Sequence, residues 1–580
     1  MMRAIVVLLA ALGIPAAAAP PPVVKKAPVA DFSLKDNHGK VVSLRLFKDK
    51  KAVVLIFTGT QCPIANSFVP DLAALDKEYG PKGVQFLGVN SNTQDSFKEM
   101  IEHAERMKIP FPMLKDERNV VADRLGAWRT PEAIVLDGAR VIRYQGRISD
   151  RFGHEGARPM ATRNDLEEAI KEVLAGKEVS TPRTAVSGCY IGRVTKTKKE
   201  GDITFVKHIA PLVQKHCQEC HRPGAVGPMP LSSYDDVVSW SRMIHEVVRD
   251  KRMPPWYAHP DFGKFKNDRS LPEAERNQLL AWIEEGMPRG EGEPPPPRRF
   301  PEGWTIGKPD VIIPMPVEFD VPAETPKRGI PYKHYVVETK FDEDKWVIRA
   351  EARAGAPEVV HHVLVFVVPP GKAFIPGSPD TPVLTGMAPG EQAFIAADGA
   401  AKLVPKGARL IFQLHYTPNG KAQRDRSSIG LIFAKEPPKR KIETQPVFNF
   451  LFRIPPGADN HEVESSFTFS KDGYVYGLMP HMHLRGKDFT IRAIYPDKRE
   501  ETLLFVPRFN FNWQGVYRPA EPLKMPKGTK LHCVAHFDNS KGNPLNPDPS
   551  VAVTWGDQTW QEMMIGWVDF AYDIAEARKR

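Results

Sequence analysis

Cysteine is scarce in this chain: five residues in 580, at positions 62, 189, 217, 220 and 533. That count excludes a disulfide-built scaffold at this length, so each cysteine needs its own chemical account. Long apolar runs are missing too. Beyond the N-terminus nothing approaches the ~20 uninterrupted apolar residues that span a bilayer, and no membrane span is expected. No dense block of one charge occurs either: the formal +10 is spread over the whole length. Scattered charge marks a solvated surface and argues against a nucleic-acid partner. Internal repeats and long low-complexity tracts are absent. What remains is ordinary folded-protein composition, 42% hydrophobic and 26% charged, long enough for several domains at about 150 residues each.

The N-terminus carries Met1–Met2–Arg3, an apolar run from Ala4 to Pro15, and small residues at Ala17–Ala18–Ala19. This is the layout of a cleaved export signal over residues 1–19, and it implies a periplasmic or secreted protein. Composition breaks at Pro20 to Pro28, at the basic run Arg193 to Glu200, and at the proline-rich Gly290 to Pro297 divide the remainder.

Residues 27–180 alternate buried-strand runs (Val53 to Phe57, Val84 to Val89) with amphipathic stretches (Phe68 to Tyr79, Asp95 to Met107). This is the βαβ rhythm of a parallel, covered sheet. Cys62 follows the first strand and precedes a helix, whose N-terminus would favour thiolate. Thr130–Pro131 stands before another strand-like run. With these features the segment resembles the redoxin branch of the thioredoxin superfamily, with Thr130–Pro131 as its cis-proline loop. Two departures stand out. Ala65 occupies the place of a second active-site cysteine, and Gly59 that of the peroxiredoxin threonine. Cys189 could resolve or pair with Cys62, or the domain could be a degenerate scaffold.

Residues 200–290 read as helical, because Phe205, Ile209, Leu212 and Val213 fall on one helix face. Cys217–Gln–Glu–Cys220–His221 then supplies two thiols and an imidazole at the spacing of covalent c-type haem attachment. A zinc site would need further nearby ligands, a thioredoxin dithiol would follow a strand, and a disulfide between cysteines three apart is unfavourable. The segment resembles small all-α cytochrome c domains, which implies a downstream methionine as second axial ligand: Met253, framed by prolines, or its rival Met229.

After the proline linker the texture turns to β, as in antiparallel sandwiches. Ligand types recur along it: His361–His362, His415, His481 and His483, then Glu562–Met563–Met564. His481 and His483, two apart, would share one side of a strand. His361 and His362 would reach one ion only at a strand end or bulge. Imidazole and thioether together suit copper. This order resembles the copper type II, ascorbate-dependent monooxygenases. The resemblance implies two jelly-roll-like β-sandwiches, 303–440 and 441–580, each with one copper: His361, His362 and His415 around the first, His481, His483 and Met563 (or Met564) around the second. His532 and His536 are same-face competitors. The arginine and asparagine that peptide-hydroxylating members use are Met479 and Ile565 here, and that family's disulfides are missing, since Cys533 stands alone.

The expected whole is a multidomain exported oxidoreductase that hydroxylates a C–H bond of a small molecule with O2. Its catalytic residues would be His481, His483, Met563 and Cys62; electrons would come from an external donor through the fused haem. Two alternatives stand beside it: a thiol or peroxide redox protein working through Cys62, and a non-enzymatic copper- and haem-binding protein.

Overall fold

The computed structural model describes residues 27–574 apart from 155, 302, 327–328, 379, 391–392 and 398. The expected leader, residues 1–19, lies outside the described residues.

Seven strands form the first sheet, in the spatial order Val41–Ser43, Ser33–Asp36, Met113–Lys115, Val84–Asn90, Ala52–Thr58, Glu132–Asp137 and Ile142–Gly146. Its centre is parallel, because crossover helices join Ala52–Thr58, Val84–Asn90 and Met113–Lys115. The flanking strands are antiparallel, so the sheet is mixed and not wholly parallel as the βαβ rhythm predicts. Short connections such as Gly138–Val141 explain this: they can close hairpins but cannot cross over. Ala52–Thr58 is buried at every residue, as a central strand covered on both faces must be. The helix predicted from Phe68 starts at Val69, after a short turn of helix Pro63–Ser67 whose N-cap is Cys62. Phe97–Met107 begins at a capping box in which Ser96 and Glu99 satisfy each other's backbone.

Residues 205–284 contain the helices Ala210–His216, Tyr234–Ser239, Ser241–Arg249 and Glu273–Glu284, preceded by a wider turn at Phe205–Ile209. The four apolar residues of the predicted helix face are all buried, packed with Trp240 and Trp282.

The rest is β. One long sheet runs from Val311–Pro314 to Leu523–Met525, and a parallel contact between Ala400–Val404 and Arg440–Asn449 joins its two halves. A four-stranded sheet packs on each half. The first core sets Val347, Ala350 and Leu431 against Val363, Phe412 and Leu414. The second sets Leu478, Val568 and Phe570 against Phe489, Ile491 and Cys533. Alternating side chains on each strand leave the opposite faces of His362 and Leu364, and of Met479 and His481, outside these cores. No helix among the described residues is long and apolar enough to cross a membrane.

Candidate functional site

Cys62 caps the helix Pro63–Ser67 at the end of the central strand and is 2% exposed. Its thiol donates to the Thr130 carbonyl at 3.0 Å, and the Thr130–Pro131 peptide is cis. Cys189 arrives from far along the chain on the two-residue strand Cys189–Tyr190, which pairs antiparallel with Arg129–Thr130 and sets Cys189 opposite Thr130. The two thiols are free and within hydrogen-bonding reach. Burial raises the Cys62 pKa, but the Cys189 thiol, the Thr130 hydroxyl and the Ala65 and Cys189 amides stabilise the thiolate, and the net shift is downward. Cys189 moves the other way, through its hydrogen bond to Cys62 and through burial. Such a pair has an attacking thiolate and a protonated partner in place to resolve it.

The AhpC/TSA family profile matches residues 23–150. Thiol-disulfide oxidoreductase ResA of Halalkalibacterium halodurans is 30% identical over 127 residues, covering 22% of this chain and 70% of that protein. Through this segment the chain belongs to the AhpC/TSA redoxin family. Chloroplastic peroxiredoxin Q of Triticum aestivum is 28% identical over 121 residues, 20% of this chain, and the chain spans 54% of that relative's length. Among solved structures, an uncharacterized conserved protein from Geobacillus kaustophilus is 30% identical, with a TM-score of 0.27, covering 31% of this chain and 94% of that one. The matched segment is α/β and thioredoxin-like, and the redoxin family is one of oxidoreductases.

The redoxin unit meets the helical unit beside its thiol pair. Arg129 lies over the Tyr190 ring and pairs with Glu246 at 2.5 Å, and Glu246 also pairs with Arg252. Further on, Cys217 caps the C-terminus of Ala210–His216 and packs against the helical core. His221 Nδ1 donates to the Met229 carbonyl at 3.1 Å, which leaves Nε2 as the ring atom free for a ligand. Burial raises both thiols and lowers His221. The Met229 side chain packs on the helical core, whereas Met253 is 41% exposed.

The C-terminal histidines converge. His361, His362 and His415 each offer a ring nitrogen within 4.8 Å of the others. A β-bulge between Val360 and His362, opposite His415 and Tyr416, breaks the alternation that would send neighbouring histidines to opposite faces. The Nε2 atoms of His361 and His362 are buried without a protein partner. Orphaned imidazole nitrogens of this kind fit a metal ion, since leaving them unpaired carries a desolvation cost.

His481 and His483 lie side by side, with ring centroids 5.3 Å apart. The expectation that both lie on a strand needs correction. The strand Gly473–His481 ends at His481, because the next outward-pointing amide, that of His483, donates to the Glu562 carboxylate at 2.8 Å instead of to a strand neighbour. His481 Nδ1 donates to Gln514 at 2.5 Å, and His483 Nδ1 donates to the Gln561 carbonyl at 3.2 Å. Both rings therefore keep Nε2 for a ligand. Phe511 separates the two groups, stacked on His361 at 4.8 Å and edge-on to His483 at 5.9 Å. Burial holds all five rings neutral, and charge on His481 would push His361, His362 and His415 lower still.

Met563 is buried outside the second β core, while Met564 is a member of that core. His532 and His536 do not join the cluster; they pair with Glu464 at 2.8 Å and Asp488 at 2.7 Å. Cys533 is buried in the core. Sequence reasoning missed Gln514, Phe511 and the clamping role of Glu562, because no spacing marks a loop residue that orients a ligand.

Proposed function

We propose that the chain is an oxidoreductase whose redoxin unit works by dithiol–disulfide exchange between Cys62 and Cys189. The placement of Cys189 on the strand opposite Thr130, with its thiol hydrogen-bonded to Cys62, carries this reading. The Cys62 thiolate attacks one sulfur of a substrate disulfide, and the other sulfur leaves as thiolate and takes up a proton. Cys189 then attacks Cys62, the substrate's second thiol departs, and the pair is left oxidised while the substrate disulfide is reduced. Gly59 in place of the peroxiredoxin threonine favours a disulfide over a peroxide as the oxidant. The test is peptide mapping after the reduced protein meets glutathione disulfide. The expected product is a Cys62–Cys189 bond that neither Cys62→Ser nor Cys189→Ser can form. Both cysteines staying free under that treatment would overturn the reading.

The convergence of His361, His362 and His415, with two of their Nε2 atoms orphaned, favours a second activity in the same chain, a copper-dependent monooxygenase acting on a small molecule. His361, His362 and His415 would hold one copper, and His481, His483 and Met563 another. Copper there would supply one-electron chemistry toward dioxygen. The chain's own part is to orient His481 through Gln514 and His483 through Gln561, to bring His361 and His362 to one side through the bulge at Val360, and to pack Phe511 between the two groups. In the same reading Cys217, Cys220 and His221 would hold a c-type haem, with Met253 as the proposed second axial ligand, and residues 1–19 would direct export. Metal analysis alongside the haem spectrum tests this: two coppers and one haem per chain are expected, with one copper lost in His415→Ala. Copper removed from the wild type by simple dialysis would refute it.

A further inference from the structure

The family match ends at residue 150, yet the groove beside Cys62 is filled by residues 188–192 of the same chain. These residues are bound as a ligand would be. Cys189 and Tyr190 pair antiparallel with Thr130 and Arg129, in a two-stranded sheet separate from the central one. The Ile191 amide donates to the Trp128 carbonyl at 2.9 Å, and Arg129 donates to the Gly188 carbonyl at 2.7 Å. Gly192 is held at both ends: its amide donates to Asn92 at 2.9 Å, and its carbonyl accepts from Asn119 at 3.0 Å and from the Thr93 amide at 3.2 Å.

Side-chain selection is equally specific. A Cβ on Gly188 would collide with the Thr130 carbonyl oxygen, a backbone atom that cannot turn aside. Ile191 is fully buried among Val89, Leu125 and Ala127 in the apolar layer beneath the sheet. Adding a strand to an exposed edge, with pockets for alternate side chains, is a general way of binding an extended peptide.

We infer that the groove formed by Arg129–Thr130, Cys62 and the Asn92–Asn119 pair is a binding site for an extended cysteine-bearing peptide of the pattern Gly-Cys-x-Ile, and that residues 188–192 are its resident ligand. An outside chain carrying such a cysteine in a disulfide competes with the resident strand for the groove. Once Cys62 has taken the outside sulfur, the return of the strand brings Cys189 back onto Cys62, forms the Cys62–Cys189 bond and expels the outside thiol. Displacement and resolution are then one movement. The exchange step rests on the dithiol reading; the groove's peptide specificity does not.

The test separates the two. In a Cys62→Ser, Cys189→Ser background, which removes thiol chemistry, binding of a fluorescein-labelled synthetic peptide of residues 185–194 is followed by anisotropy. The resident strand is loosened in the chain either by Gly188→Ala or by Ile191→Ala, the latter leaving the groove's hydrogen bonds untouched. Either loosened chain should bind the peptide at least tenfold more tightly than the unloosened one. A peptide carrying alanine at the position of Gly188 should bind at least tenfold more weakly than the unaltered peptide. Equal binding of both peptides, or no gain in a loosened chain whose circular dichroism is native, would overturn the inference. Failure of the dithiol reading would show instead as no Cys62–Cys189 bond in the unsubstituted protein.

Discussion

Cys62 owes its lowered pKa to donors, since burial alone would raise it. The Cys189 thiol is the most influential of those donors, so Cys189→Ala should return Cys62 toward the ordinary thiol range. At pH 7 a full return from about 6 to the ordinary value of about 8.5 would cut the thiolate fraction about thirtyfold, which bounds the expected slowing of iodoacetamide alkylation of Cys62, measured by timed quenching and mass spectrometry. His103 makes a pH-dependent contribution to stability. It is 1% exposed, its Nε2 bonds Asn66 at 2.7 Å, and burial, with Arg106 nearby, lowers its pKa to about 4. The folded state therefore prefers neutral His103, and the unfolded chain binds more protons between pH 6.5 and 4. Stability from this residue is complete above pH 6.5 and is lost as pH falls toward 4, by up to about 3 kcal/mol. Urea unfolding from pH 7 to 4 should show that slope, and His103→Gln should flatten it.

At the scale of elements, one carboxylate organises the turn that presents His483. Glu562 is fully buried and accepts from the His483 amide at 2.8 Å and from the Arg485 amide at 2.6 Å, while the Arg485 side chain, also buried, bonds Asn539 and the Trp560 carbonyl. Glu562→Ala strands two amides and leaves the arginine without its nearby carboxylate. A loss on the order of 3 kcal/mol is expected, with a smaller loss for Glu562→Gln, which keeps one acceptor; chemical denaturation measures both. Elements were legible in the sequence where burial is periodic or continuous. Six consecutive apolar residues, Ala52 to Phe57, announce the strand Ala52–Thr58, and Phe205, Ile209, Leu212 and Val213 announce a helix face. The histidine cluster was legible only in part. His415 ends a strand as its neighbours suggest, but the bulge at Val360 and the early end of the strand at His481 depend on hydrogen bonds to residues remote in sequence. Cys189 was visible as a candidate, yet a two-residue strand carries no periodicity that could place it opposite Thr130. The antiparallel edges of the first sheet escaped because strand direction lies in the connection and not in the strand's own residues.

At the scale of the whole molecule, the proline-rich stretch at 290–297 is not all that joins the helical unit to the β half. Residues 256–268 form a second arm that lies on the C-terminal sandwich. Trp256 meets Tyr517 at 4.8 Å and Phe265 at 5.8 Å. Around these rings the backbone is stitched across: the His259 amide donates to Phe505, the Lys266 amide to Arg518 and the Ala520 amide to Lys264, at 2.8, 2.9 and 2.7 Å. Asn267 adds bonds to Val516 at 2.7 Å and from the Arg518 amide at 2.9 Å. Tyr517 in turn exchanges backbone hydrogen bonds with Leu478, three residues before His481. The arm that leaves the helical unit just after Met253 thus ends on the strand that carries a candidate metal ligand. A joint of this kind couples the two units in unfolding as well as in position. Trp256 is half-buried, so Trp256→Ala should cost toward the lower end of the ~3–5 kcal/mol typical of large aromatic truncations. That loss should fall on the joint and leave the helical core around Trp282 intact, because Trp256 packs on the β side. Calorimetry of the wild type should then show the helical and C-terminal β units melting together. The variant should resolve them into separate transitions, with the β transition at the lower temperature; an unsplit transition in the variant would mean that the proline-rich stretch and the remaining backbone bonds suffice to hold the units together.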